Sequence, residues 1–130
     1  MVTWFCPECF HEVDELERIC PRCGADISEE RTYEQRLVNA LKHRLADRQL
    51  LAAQILSSIG TDAAVEPLAE AARQRRDPYL AGEAIHALAS IGTESALREL
   101  ESIARTGPPR SRRLARQALR DHETAAGTDR

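Results

Sequence analysis

Ten residues of this chain recur at one fixed displacement. Ala52, Leu56, Ser58, Ile59, Gly60, Thr61, Ala64, Leu68, Ala72 and Arg73 return 32 positions later as Ala84, Leu88, Ser90, Ile91, Gly92, Thr93, Ala96, Leu100, Ala104 and Arg105. A period of this length means that a supersecondary unit is stacked on its own copy, because one unit cannot bury its apolar face alone. A shorter third copy follows, with Ala115, Ala118 and Leu119 standing 31 residues after Ala84, Ala87 and Leu88. Within each copy the apolar spacing is helical: Ala52, Ile55, Leu56 and Ile59, then Ala84, Ala87, Leu88 and Ile91, follow i, i+3, i+4, i+7.

Each stripe ends at Ile-Gly-Thr. Gly60 or Gly92 can take the left-handed conformation that closes a helix, and Thr61 or Thr93 can cap the next one. Second helices carry Val65, Leu68, Ala69 and Ala72, then Leu97, Leu100, Ile103 and Ala104, on one face. Pro67 removes a backbone donor, so that helix begins late or bends there. Pro78 and the run Gly107-Pro108-Pro109 separate successive pairs. Upstream, Thr32 with Gln35 reads as a capping box for a leading helix over 33–43, with Leu37, Val38 and Leu41, continued by Leu45, as its apolar face. Asp47 and Asp77 precede helices as N-caps. The predicted fold is an antiparallel helix-pair solenoid of about 2.5 to 3 repeats over 32–121, then a flexible tail at 122–130 where the sequence turns small and polar.

The pattern resembles the HEAT repeat family, in the short bacterial form related to phycobilin lyase-type repeats. The residues that carry the resemblance are Ala84 to Gly92 with Ala96, Leu97 and Leu100, and Ala52 to Gly60 with Ala64, Val65, Pro67 and Leu68. It covers 45–120 and departs at Ile55, where the repeat has a small alanine. The resemblance implies a binding scaffold, or an accessory of lyase or chaperone type. The shared residues are packing residues, and fold alone does not carry activity.

Every cysteine lies in Cys6-Pro7-Glu8-Cys9 or Cys20-Pro21-Arg22-Cys23, with ten residues between the pairs. Four thiolates converging from two knuckles are what a tetrahedral Zn²⁺ requires, and a full set of four closes the site against catalysis. The alternatives each lack support: a disulfide wants an export signal, a thioredoxin-like motif wants a βαβ context, and a rubredoxin-like iron site separates its knuckles further. His11 is read as a surface histidine. Residues 20–24 are similar to the zinc-ribbon half-site C-P-x-C-G, while the first half-site carries Phe10 in place of glycine. The short connection allows only very short strands. A unit over 1–29 lies below the roughly 40 residues at which a core holds without help, so the metal is expected to serve as its core. The joint over 27–31 is short and polar, which leaves a docked and a tethered unit both open.

Charge is unevenly spread along a chain of net charge −3. Residues 1–31 hold eight acids against three arginines, whereas Arg105, Arg110, Arg112, Arg113, Arg116 and Arg120 come without an intervening acid. No apolar run is long enough to span a membrane, and reduced cysteines without an export signal predict a cytoplasmic protein. No phosphate loop, nucleophile elbow or ordered catalytic set is present, and His43 and His86 stand alone, so the chain reads as non-enzymatic. Function then falls to the solenoid face, where Glu66 with Arg98, Glu70 with Ser102, and Arg73 with Arg105 share repeat positions. Paired arginines there could clamp acidic groups of a partner protein. The alternative is a nucleic-acid protein using the Arg105 to Arg120 patch, with Arg112, Arg113 and Arg116 in it, or the metal unit.

Overall fold

The computed structural model describes residues 4–6, 8–14, 17–26 and 33–128. Among these, an N-terminal four-cysteine unit precedes six α-helices: α1 (Tyr33–Ala40), α2 (Ala46–Ile59), α3 (Val65–Arg73), α4 (Pro78–Ile91), α5 (Glu94–Thr106) and α6 (Pro109–Thr128). Pro7, the Thr32 capping box and the joint over 27–31 lie outside the described residues. Helices α2, α4 and α6 lie side by side as one layer, with α3 beside α5 as the other. None of the helices is long and apolar enough to cross a membrane.

Helix α4 is the centre of the array, in contact with α2, α3, α5 and α6. It can be so because its buried apolar arc is wide, with Leu80, Ala81, Ala84, Ile85, Ala87 and Leu88 all buried, while His86 and Ser90 stay exposed on the remaining face. Alanines at 84 and 87 let neighbouring backbones approach closely, and Leu56, Leu68, Leu88, Leu100 and Ile103 fill the space between them without solvent contact. Burying one such leucine contributes roughly 1.5–3 kcal/mol. Ile55, half-buried where its repeat partner Ala87 is fully buried, is accommodated at the margin of the core.

The helix ends follow local chemistry. Asp77 caps α4 by accepting from the amides of Tyr79 at 3.0 Å and Leu80 at 3.2 Å, with Pro78 in the first turn. Thr93 caps α5 through Ala96 N at 3.3 Å, and Thr61 caps a 3₁₀ turn over Asp62–Ala64 through Ala63 N at 3.4 Å. That turn delays α3 to Val65, so Pro67 sits in its first turn where no backbone donor is needed. The capping turns also link up along one edge. Glu34 of α1 accepts from both the amide and the hydroxyl of Thr61, at 2.7 and 2.9 Å, and Thr93 donates to Asp62.

Several local expectations change. Gly92 takes the left-handed conformation at φ 64°, but Gly60 is extended at φ −63°. Glycine is required at 60 for space, because a Cβ there would meet the Leu56 carbonyl at 2.5 Å and Ile91 Cδ1 at 3.0 Å. Leu45 does not extend the apolar face of α1; it is the extended, exposed residue that starts α2, and Asp47 lies inside the first turn, where a carboxylate favours the helix dipole without capping it. Helix α1 stops at Ala40, and Leu41 to His43 tighten into turns with bonds to carbonyls three residues back. The stretch expected as a tail continues α6 to Thr128. Ala125 and Ala126 favour helix, and Gln117 to Asp121 at 2.8 Å and Thr124 to the Arg120 carbonyl at 3.0 Å support it.

The Gly60 contact yields a prediction. Gly60→Ala will lower stability by roughly 1–3 kcal/mol in urea unfolding followed by circular dichroism, despite the ordinary φ at this position. A cost below about 0.5 kcal/mol would show that the turn opens freely.

Candidate metal centre and helical face

Two copies of one knuckle build the N-terminal unit. Strand β1 (Trp4–Phe5) pairs antiparallel with β2 (Glu12–Val13), placing Phe5 opposite Glu12, and an isolated bridge joins Ile19 to Asp26 in the same way fourteen residues later. In the first knuckle Cys6 N donates to His11 O and Phe10 N to Cys6 O, both at 2.9 Å. In the second, Cys20 N donates to Ala25 O and Gly24 N to Cys20 O, again at 2.9 Å. The correspondence gives Phe10 the role of Gly24. Accordingly Phe10 has φ 62° and Gly24 φ 77°, and Phe10 is the only non-glycine residue with positive φ among the described residues.

The four Sγ atoms lie within 4.8 Å of one another, with Cys6–Cys23 and Cys9–Cys20 at 3.6 Å. These sulfurs are too far apart for disulfides and are free thiols. Ligands about 2.3 Å from a tetrahedral ion stand about 3.8 Å apart, so the cluster fits one metal ion coordinated by all four. The amide of Glu8 points at Cys6 Sγ from 3.4 Å, a donor suited to a thiolate. Burial pushes the Cys20 thiol up, but the amides of Cys23 and Arg22 and the neighbouring sulfurs outweigh it and bring the group down to about 7. The Ala25 amide lowers Cys23, yet burial and the sulfurs of Cys6, Cys9 and Cys20 prevail and push it up to about 12. One proton leaves easily and the last is retained, as expected of four clustered sulfurs that need a cation to ionise together.

The unit is docked against the helices. Phe10 meets the ring of His43 edge-on, with centroids 5.7 Å apart at 68°, and Glu12 pairs with Arg48 of α2 at 3.4 Å. His43 is buried at 5% exposure, and its Nδ1 accepts from Leu45 N at 3.0 Å. Burial, then Arg48, lowers its pKa; the Phe10 carbonyl, which accepts from the ring, works the other way, Arg44 adds to the lowering and Asp47 opposes it. The half-exposed ion pair contributes little by itself, so the ring contact is the more specific tie.

On the helical side, Glu66 and Glu70 of α3 and Arg98 and Arg105 of α5 are exposed on adjacent helices. Arg98 is engaged by Glu94 on its own helix. The expected pair of arginines projecting in register is corrected: Arg73 reaches sideways to Ser102 Oγ at 2.7 Å and Thr106 Oγ1 at 3.2 Å, bracing α3 against α5, so Arg105 projects without it. A groove of about 590 Å³ opens where the start of α2 and the end of α3 diverge, with Glu70 in its wall and His43 at its rim. Arg112 is half-buried, and Arg113 and Arg116 are exposed on α6. His86 and His122 line a second groove between α4 and α6, and the cysteine cluster is the one group of metal-ligand type among the described residues.

Residues 34–120 match the family described as HEAT repeats. The chain belongs to the HEAT repeat family. The match spans the helical array from α1 to the arginine-rich part of α6 and begins after the last cysteine. No curated protein and no solved structure matches the chain. In this HEAT repeat protein, the sequence reading missed three groups that tie elements together: Phe10 and His43 at the docked corner, and Ser111, buried at the start of α6 with its hydroxyl donating to the Ala72 carbonyl at 2.7 Å. A serine standing at the repeat position of Leu80 was the available signal for the last.

His43 predicts a pH dependence. A histidine held below its ordinary 6.5 favours the neutral ring in the folded state, so its stabilising contribution is present above that value and is lost as pH falls through the folded value. Between about pH 7.5 and pH 5 the melting temperature of the parent protein will fall further than that of His43→Gln. Equal falls would contradict a neutral, docked imidazole.

Proposed function

We propose that this HEAT repeat protein is a non-enzymatic, protein-binding adaptor whose N-terminal unit is clasped by one structural Zn²⁺ on Cys6, Cys9, Cys20 and Cys23. Four thiolates in tetrahedral spacing suit zinc and leave no open coordination position for substrate. The ion's role is to hold two small knuckles that have almost no apolar core. Thiols kept reduced for a metal favour a cytoplasmic setting. An accessory-lyase role would draw only on Ala84, Leu88 and Ile91, which any such array needs for packing.

The observation that carries the binding role is the groove at the open end of α2 and α3, continuous through Glu70 with the exposed polar face of α3 and α5. Its volume lies within the range of ligand-sized clefts, and its wall mixes charged and apolar groups, as peptide-binding surfaces do. Glu66, Glu70, Arg98 and Arg105 would supply the polar contacts, while Arg73 holds the two helices in register. Crosslinked affinity capture from native extract tests this, with a Glu66→Ala/Glu70→Ala/Arg98→Ala/Arg105→Ala variant as control. A discrete partner captured by the parent and lost with the variant supports the reading, and identical capture by both removes this face from it.

The metal assignment has its own test. Elemental analysis of protein purified without added metal will find close to one zinc per chain, and Cys20→Ser will abolish tight retention. Phe10→Gly will retain the zinc, because glycine takes the left-handed conformation of this knuckle more readily than phenylalanine. Iron in place of zinc, or metal loss in Phe10→Gly, would overturn these assignments.

A further inference from the structure

The arginines of α6 are not used by the metal unit or by the α3/α5 face. Arg112, Arg116 and Arg120 form an i, i+4 row, and Arg110 and Arg113 stand three residues apart beside it. Arg110, Arg113, Arg116 and Arg120 are exposed and Arg112 is half-buried at the flank of the side that packs inward through Ser111, Leu114, Ala115 and Ala118. The row with Arg110 spans about 15 Å of helix. Among the described residues none of Arg105, Arg110, Arg112, Arg113 and Arg116 is in an ion pair, and the Arg120 guanidinium donates to the neutral amide of Gln117, at 2.7 Å.

This arrangement is a poor one for the isolated helix. Like charges at i, i+3 and i+4 repel, and Arg110 and Arg112 sit at the N-terminal end, where the helix dipole disfavours a cation. An end helix of a solenoid needs a polar outer face, but mixed signs would meet that need better. The missing carboxylates are the complement that a partner can bring. We infer that the outer face of α6 docks an acidic segment of a partner protein, with guanidinium groups pairing carboxylates along adjacent turns.

The same face could in principle meet phosphates, and two observations favour the polypeptide. The chain is net negative, with eight acids in residues 1–31, and its long-range repulsion grows with the ligand's charge, so it weighs more against a polyphosphate than against a short acidic segment. The α6 sequence also contains no Phe, Tyr or Trp on which bases could stack. An acidic helix with glutamates every three to four residues matches the spacing of the arginine row, and Arg offers the planar fork that carboxylates accept. Single exposed pairs are weak, so binding must use several at once and must depend on salt.

The inference rests on the protein-binding reading but uses a different surface. A fluorescein-labelled alanine-based peptide with glutamate at successive i, i+4 positions is titrated against the full, metal-loaded chain by fluorescence anisotropy. Its glutamine counterpart and a duplex DNA are titrated in parallel. The glutamate peptide is expected to bind at low salt, to lose about tenfold or more when salt is raised severalfold, and to lose as much with Arg112→Gln/Arg116→Gln/Arg120→Gln. The glutamine peptide should not bind. That variant relieves like-charge repulsion, so its melting temperature should hold or rise, which separates lost docking from lost folding. No binding at low salt, unchanged binding by the variant, or tighter binding of the duplex would each overturn the inference. The α3/α5 variant used for capture should keep peptide binding, so failure at one surface is distinguishable from failure at the other.

Discussion

The structure depends on the wide arc of α4 that is buried. A helix touched by four others must be apolar over a wide arc and small where backbones approach, and α4 meets both demands with Ala84, Ala87, Leu88 and Ile85. Neighbouring helices then need only one apolar face each, which leaves their outer faces free to carry charge. That division explains why a small chain with few aromatics can hold a folded array while presenting a mixed polar face on α3 and α5 and an arginine face on α6. Ser111 and Arg73 supply the polar ties that set the position of outer helices against this centre.

The N-terminal unit is organised on another principle. Its knuckles are too short to exclude water by packing, and the positions of four sulfurs replace a core. Within that scheme Phe10 stands apart. At the equivalent site the second knuckle has Gly24, which adopts positive φ freely, while phenylalanine there costs about 1–2 kcal/mol. What offsets the cost is visible in the ring contact with His43, so the departure from the half-site pattern places a docking side chain where the knuckle meets the helices.

Much of this was legible in the sequence where the signal is local. Cysteine spacing specifies a ligand set because each knuckle is four residues long. The 32-residue period specifies stacked helix pairs because buried small residues must recur once per unit. Helix starts at Asp77 and Thr93 follow from side chains that reach amides two or three residues away. Features that depend on which distant elements meet were not legible. Gly60 reads as a left-handed stop, yet it is needed because Ile91 of the next repeat and the Leu56 carbonyl leave no room for a Cβ. The arginines at 73 and 105 look alike in the repeat, but only Arg73 has another helix beyond it whose Ser102 and Thr106 can accept its bonds. The choice between a docked and a tethered metal unit turned on Phe10 and His43, 33 positions apart in sequence.

The central claim is that the metal organises the N-terminal unit while the helical array stands on the burial of α4. Amide hydrogen exchange of the metal-loaded protein before and after chelation tests it most directly. The account predicts that chelation raises exchange through both knuckles and at the Leu41 to Leu45 corner, with protection in α4 unchanged. Loss of protection in α4 together with the knuckles would contradict it.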